Sequence, residues 1–401
     1  MRSTTAPIEP ALLEASLRPP DAARTLPADA YVSPEVFGWE RERFFDPSWV
    51  CLGRSTDLGQ AGDQRAVKVG DQAVLLVRGK DGVLRGFFNT CRHRGHELLP
   101  CGGPQVNNRF IRCPYHSWAY GLDGRFKSAP NFADREGWRR DDPDNSLVGA
   151  RIEEWGGWMW VNASGDAPPL GQHLGNLAET LEPYELERLV RAESHDYEIE
   201  ANWKLIGENY HECYHCTTIH PELCQVTPPD SGTAYEPTGL VVGGTMDLME
   251  HAETMSLDGK SGGVPFPGLD AERRRQVLYV MVFPNMLISA HPDYVMTHRL
   301  QPVSEGRTRI ECEWLFPPSA LEREGFDPAY AVEFWDITNR QDWSACEGVQ
   351  RGAAGKGYRQ GPLSEPEGNV WQFISLVARG YLDGKVSGPV PRWQRADAPI
   401  G

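Results

Sequence analysis

Between Glu208 and Pro221 the chain reads Glu-Asn-Tyr-His-Glu-Cys-Tyr-His-Cys-Thr-Thr-Ile-His-Pro, gathering three His, two Cys and two Glu in a sequence with only 11 His. Neither core packing nor surface solvation concentrates metal-ligating side chains in this way. The spacing also restricts the backbone. A helix turns about 100° per residue, so residues i and i+5, such as His215 and His220, point roughly 140° apart on a continuous helix. They can serve one metal only if the helix breaks between them. Thr217, Thr218 and Ile219 are β-branched, and Pro221 disfavours helical geometry at His220. The sequence therefore predicts a helix that stops near Cys216 and lets His220 swing back from a turn. Cys213 and Cys216 also form a C-x-x-C, which raises a zinc knuckle as the competing reading. Its four donors would crowd one tetrahedron, so the two Cys are expected to pack on the buried side of the helix.

The rest of the composition narrows the class. At 401 residues the chain is long for a single core, which predicts two domains. A formal net charge of −16 argues against nucleic acid and anionic membrane surfaces, both of which select a basic footprint. The N-terminus lacks the apolar core of a signal peptide, and the longest apolar run, Val277 to Ala290, is broken by Pro284 and Asn285. The nine Cys are an odd number, which suits thiols used as ligands or core residues in a reduced cytoplasm better than a disulfide framework.

Three segments are expected: residues 1–47, a tail with short helices packing on the catalytic domain; 48–162, a small all-β domain; and 163–401, an α+β domain with an antiparallel sheet covered by helices. Pro10 to Leu17 reads as a helix, and Ser33 caps another that runs to Phe44. From Trp49 short β runs alternate with Gly-rich turns, as in Gln72–Arg78, the hairpin turn Gly79–Gly82, and the return strand Val83–Asn89. In the last segment Leu174–Leu181 reads as a helix, and His195–Lys204, Val277–Ser289, Tyr294–Gln301 and Arg307–Phe316 as strands. Pro328–Gln350 and Pro366–Tyr381 have amphipathic helical patterns.

A second constellation lies in the β segment. Cys91-Arg-His93 and Cys113-Pro-Tyr-His116 form a C-x-H and C-x-x-H pair separated by 19 residues. Two thiolates and two neutral imidazoles suit a [2Fe–2S] cluster with both Cys on one iron and both His on the other. A single structural zinc uses the same ligand types, but C-x-H is an unusual zinc spacing. With Asn89-Thr-Cys-Arg-His-Arg-Gly95, Arg112-Cys-Pro-Tyr-His-Ser-Trp118 and Tyr120-Gly-Leu-Asp-Gly124, the region resembles the cluster-binding part of Rieske non-haem iron oxygenases. The similarity continues through Asn202-Trp-Lys204 and Glu208 to His220.

That resemblance implies roles residue by residue. Cys91, His93, Cys113 and His116 would bind the cluster. His215 and His220 would hold a mononuclear Fe(II), with Asp342 as the late acidic ligand. A pair of His with one carboxylate on one face leaves positions open for O2. Glu212, three residues before His215, stands where the family usually has Asp, and would carry electrons from a neighbouring subunit's cluster in a homotrimer. Glu208 stands where many members have Asn. No G-x-G-x-x-G follows a strand, so NAD(P)H would act only through a separate ferredoxin–NAD(P)H reductase. Residues 243–259, with His220-Pro-Glu-Leu-Cys224, resemble the branch containing glycine betaine monooxygenases, which implies oxidative N-demethylation of a quaternary ammonium compound. Hydroxylation or dioxygenation of an aromatic acid is the alternative, and a pure electron carrier would leave the second constellation without a purpose. Among the aromatic residues that could cage a cation, Phe283, Tyr294, Trp314 and Trp335 are expected to be mostly core.

Overall fold

The computed structural model describes residues 4–132, 136–388 and 390. They divide into two compact units, residues 41–170 in one and the described parts of 1–40 and 171–401 in the other. The sequence-based division at 48 and 162 falls several residues inside the smaller unit. The N-terminal residues before Arg41 belong with the larger one.

The smaller unit carries ten strands: β1 (Val50–Arg54), β2 (Asp63–Val69), β3 (Gln72–Arg78), β4 (Leu84–Phe88), β5 (Val106–Asn107), β6 (Ile111–Arg112), β7 (Ala119–Tyr120), β8 (Phe126–Ser128), β9 (Gly149–Trp155) and β10 (Trp158–Asn162). Seven form one sheet in the order β1-β10-β9-β4-β3-β2-β5, and β6-β7-β8 form a small second sheet. Tight turns set the registers. The β9–β10 hairpin turns on Gly156 and Gly157, both at positive φ, as a two-residue loop between twisted strands requires. A Cβ at Gly157 would lie 2.6 Å from the guanidinium of the buried Arg54, so glycine is needed there for space as well. Leu75, Val77, Phe87, Ile111 and Tyr120 form a core in which Cys91 and Cys113 are also buried.

The larger unit is built on a seven-stranded antiparallel sheet ordered β11-β17-β16-β15-β14-β13-β12. Its strands are β11 (Val190–Ile199), β12 (Thr233–Ala234), β13 (Val241–Asp247), β14 (Gln276–Val282), β15 (Met286–Ala290), β16 (Val295–Ser304) and β17 (Arg307–Phe316). From β13 onward the strands are consecutive neighbours, so each pairs with the next across a turn or short connection. The expected single strand Val277–Ser289 is two strands. Asn285 makes the turn between them, where its backbone carbonyl accepts from Leu300 N at 2.8 Å.

Two expected boundaries shift, one of them because a local side chain overrides the pattern. Ser33 does cap its helix through Val36 N at 3.3 Å, but the α-helix ends at Glu40 and gives way to a wider turn over Arg41–Phe45. The strand expected to run to Lys204 stops at Ile199. Asn202 accepts a hydrogen bond from Lys204 N at 3.0 Å and caps the helix Trp203–Tyr210. The expected helix Leu174–Leu181 is two short ones, Leu170–Leu174 and Leu177–Leu181. Helices Ala329–Ala353 and Gly368–Asp383 match the two amphipathic patterns, and both pack against Trp203–Tyr210.

That central helix is pinned by a buried ion pair. Lys204 Nζ lies 2.6 Å from Glu40 Oε1 with both side chains inaccessible to solvent, and Trp203 Nε1 donates to Glu40 Oε2 at 2.9 Å. Tyr381, from the C-terminal helix, donates to the same carboxylate. Burial lowers the Lys204 pKa, an effect that Glu40 opposes. Removing one member strands the other charge in the core. We therefore expect Glu40→Gln to cost about 3–5 kcal/mol of stability, read as a lowered urea midpoint, and Glu40→Gln/Lys204→Met to recover part of that loss.

Candidate metal centres

The two Cys–His loops lie at the turns that connect β4 to β5 and β6 to β7. The Cys91 carbonyl accepts from Gly95 N at 3.0 Å, and the Cys113 carbonyl accepts from Ser117 N at 3.1 Å. Gly95 and Ser117 both sit at positive φ, which curls each loop back over its thiol. Each Cys is 2 % exposed, whereas His93 and His116 are half-buried, with ring centroids 4.8 Å apart. The four side chains named from the sequence are thus brought to one corner of the unit, sulfur inside and imidazole toward the surface.

The polar atoms in that corner fit a metal cluster. His93 Nδ1 is buried and has no hydrogen-bond partner, an expensive arrangement unless the lone pair is used. Burial and the neighbouring His116 lower the His93 pKa, which keeps the ring neutral and able to coordinate. Its plane is stacked on Trp118, with 5.0 Å between centroids. The Cys91 thiol pKa is raised by burial, and Cys113 raises it further; bound iron would reverse this, since thiolates are the ligating form. Tyr120 OH lies 3.1 Å from Cys91 Sγ, placed to tune a coordinated sulfur.

In the larger unit the helix stops sooner than the sequence predicts. It ends at Tyr210, His211 caps it, and a non-helical turn carries Glu212 to Tyr214. One further helical turn, Cys216–Ile219, has His215 at its start and His220 at its end. His220 has φ −121° and ψ 66°, outside helical geometry, as the following Pro221 favours. The two rings therefore face each other across a single turn, centroids 5.0 Å apart.

Both converge on Asp342, which projects from the middle of the helix Ala329–Ala353. Asp342 Oδ1 lies 2.9 Å from His220 Nε2 and 3.3 Å from His215 Nε2. One donor atom from each of the three falls within 4.8 Å of the others. The outer nitrogens are also engaged. His220 Nδ1 is 2.6 Å from Gln341 Oε1, and His215 Nδ1 meets Glu212 Oε1. Such contacts orient the rings and leave both Nε2 atoms for a metal. Burial opposes charge on His215, but Asp342 and Glu212 outweigh it and push its pKa up to about 10. Burial likewise opposes charge on Asp342, and the two imidazoles overcome it to hold the carboxyl below its usual range. The same field favours a divalent cation, and two imidazoles with one carboxylate suit Fe(II).

Other residues of the motif have different settings. Glu208 accepts a hydrogen bond from Tyr31 at 2.9 Å, and burial pushes its carboxyl up to about 8. His211 is 1 % exposed and serves packing and backbone contacts. Cys213 and Cys216 do pack into the core beside Leu223 and Met255, but they are joined as a disulfide, correcting the expectation of two free thiols. The C-x-x-C spacing thus serves a disulfide rather than a zinc knuckle.

A cavity opens beside the triad. Tyr210, Met246, Val277, Tyr279, Trp335 and Thr338 help to line it, together with Glu212 and the three candidate ligands. Phe283, Tyr294 and Trp314 are core residues as expected, at 0–1 % exposure, whereas Trp335 reaches the cavity. Tyr210 and Tyr279 were not distinguishable in the sequence, because nothing local tells an aromatic ring facing a cavity from one facing a core.

Comparison with known proteins identifies the family. Residues 48–139 match the Rieske [2Fe-2S] domain, and residues 186–382 the ring hydroxylating alpha subunit catalytic domain. The chain is 30 % identical to the glycine betaine monooxygenase oxygenase subunit of Chromohalobacter salexigens, covering 91 % of this chain and 88 % of that one. It is 39 % identical to the carnitine monooxygenase oxygenase subunit of Escherichia coli K12 over 50 % of this chain and 54 % of that protein. Among solved structures, the quaternary ammonium Rieske monooxygenase CntA in complex with L-carnitine superposes with a TM-score of 0.73 at 27 % identity, covering 93 % of this chain and 99 % of that one. The chain belongs to the Rieske non-haem iron oxygenases, as an alpha subunit with a Rieske cluster and a mononuclear iron. Within that family its similarity is to the oxygenase subunits of quaternary ammonium monooxygenases. Among the described residues, no helix is long and apolar enough to cross a membrane.

If Asp342 completes the mononuclear site, Asp342→Ala should take the iron content from about three per chain to about two. The visible spectrum of the cluster should be unchanged. Metal analysis alongside absorbance measures both in one sample.

Proposed function

We propose that this chain is an oxygenase component that hydroxylates an N-methyl group of a quaternary ammonium compound such as glycine betaine. The observation that carries the reading is the cavity at the His215–His220–Asp342 triad, walled by Tyr210, Tyr279 and Trp335 and open to two carboxylates. Aromatic faces attract a methylated ammonium, which has no N–H donors to satisfy. Similarity to oxygenase subunits named for glycine betaine and carnitine supports the same substrate class.

In this reading Cys91, His93, Cys113 and His116 hold the cluster, and His215, His220 and Asp342 hold Fe(II). When bound, the cluster supplies electrons singly and the iron supplies a place for O2 to react beside the substrate. The balance is one substrate, one O2, two electrons and two protons giving an N–CH2OH cation and water. The C–N bond of the hemiaminal then breaks, leaving a tertiary amine, formaldehyde and a proton. The electrons originate in NAD(P)H through a separate reductase. We further propose a homotrimer in which Glu212 stands on the path from a neighbouring subunit's cluster. Glu212 contacts His215 Nδ1, and its carboxylate accepts from the backbone N–H of His215 at 3.2 Å, so it can both orient the ligand and carry the connection.

With a surrogate reductase, the protein should consume O2 and release formaldehyde in equal amounts from at least one quaternary N-methyl compound. Absence of formaldehyde across the whole N-methyl panel, with consumption of benzoate-like acids instead, would reject the reading. Glu212→Gln should lower turnover by about 10–100-fold while iron content and the cluster spectrum persist. Stopped-flow absorbance should then show a reduced cluster that reoxidises slowly in the presence of substrate and O2.

A further inference from the structure

The iron-side cavity does not end at the triad. A second cavity adjoins it, sharing Glu212, Cys213, Met246 and Tyr279, and its outer lining includes Asp230 and Glu365. Both of these acids are exposed at the rim. None of the described residues lining either cavity is Lys or Arg. The carboxylates along the two cavities are Asp230 and Glu365 at the rim, Glu212 shared between them, and Asp342 at the triad, where the imidazoles of His215 and His220 are the basic groups. A cleft lined by one sign of charge concentrates ligands of the opposite sign and repels its own.

The far wall adds a second, independent requirement. Asn369 lines the outer cavity, is 8 % exposed, and its Oδ1 has no hydrogen-bond partner. Its Nδ2 is engaged with Tyr279 OH at 3.4 Å, which leaves the carbonyl oxygen as the group to be satisfied. Gly244 makes room for this pair: a Cβ there would lie 2.9 Å from Asn369 Nδ2 and 3.0 Å from Tyr279 OH. An orphaned buried acceptor is costly, and a ligand that donates to it recovers the loss. A carboxylate cannot donate. A hydroxyl or an N–H can.

Building on the reading of this site as one for N-methyl ammonium compounds, we infer that its preferred substrate is a net cation with a hydrogen-bond donor at its distal end and no carboxylate. The trimethylammonium group sits among Tyr210, Tyr279 and Trp335, and the donor faces Asn369 Oδ1. A zwitterion such as glycine betaine would bring its carboxylate toward acids and an acceptor, and finds no Lys or Arg for it among the described lining residues.

Three probes of similar size separate the contributions: choline, glycine betaine, and the uncharged 3,3-dimethyl-1-butanol. Binding to the holoprotein is measured without O2 by calorimetry, with quenching of tryptophan fluorescence as a second readout. Choline should bind at least tenfold more tightly than either of the others. Asp230→Asn/Glu365→Gln should weaken choline several-fold at low salt, with the difference closing at high salt. Asn369→Leu should weaken choline about tenfold and leave tetramethylammonium, which has no donor, unchanged. Glycine betaine binding as tightly as choline, or more tightly, overturns the inference while formaldehyde release from it leaves the proposed function standing. Failure of every N-methylated probe to bind or to yield formaldehyde overturns both. The wild-type comparison needs no variant, so a misfolded Asn369→Leu protein does not remove the test.

Discussion

Three donor atoms must meet at one point, and two of them come from a segment that a regular helix would splay apart. That constraint shapes the larger unit. The chain meets it by ending one helix at Tyr210, crossing a short turn, and adding a single helical turn with His215 and His220 at its two ends. The third donor then has to come from a rigid element that passes the open side of that turn. The helix Ala329–Ala353 is such an element, and Asp342 lies near its middle, far from frayed ends.

Positioning of this kind is only as good as the anchor behind it. The helix Trp203–Tyr210 leads directly into the ligand turn, and its first residues are held by Glu40, which receives Lys204, Trp203 and Tyr381. Asn202 caps the same end, and its Nδ2 donates to Glu305 O at 2.8 Å. A buried ion pair contributes little net stability compared with apolar packing, but it accepts only one arrangement of its partners. Here that selectivity falls on the element that sets the register of Glu212 and His215. The Asn-Trp-Lys triplet is therefore explained by position rather than by chemistry at the iron.

The two metal centres manage electrostatics in opposite ways. Around Cys91 and Cys113 the described surroundings are mostly apolar, with Tyr120 OH beside the Cys91 sulfur, so a metal held there would provide the positive charge that keeps the sulfurs ionised. Around His215 the carboxylates of Glu212 and Asp342 are already present, and they favour a cation strongly enough to overcome burial. The adjoining cavities extend that negative character outward to Asp230 and Glu365. On the proposed reading, the same carboxylates would help hold the metal and select the charge of what approaches it.

Much of this was legible in the chain itself. Local chemistry carries local information: C-x-H and C-x-x-H loops announce a cluster, and Pro221 after His220 announces a helix that cannot continue. Alternating apolar residues likewise announced most strands of the sheet. What failed were boundaries decided by single residues, as at Asn202 and Asn285, and the pairing of Cys213 with Cys216. The choice of Asp342 among so many acids depended on resemblance, since no spacing rule links residues more than a hundred positions apart. The cavity could not be read at all. Whether Tyr279, Trp335 or Asn369 faces a core or a ligand depends on which elements close around it, and that is settled by packing between distant segments. The sequence alone determined that this chain binds two kinds of iron centre; only the tertiary structure brought aromatic rings and carboxylates together around the cavities, with no Lys or Arg among the described lining residues, because charge and cavity shape are sums over residues that meet only when the chain is folded.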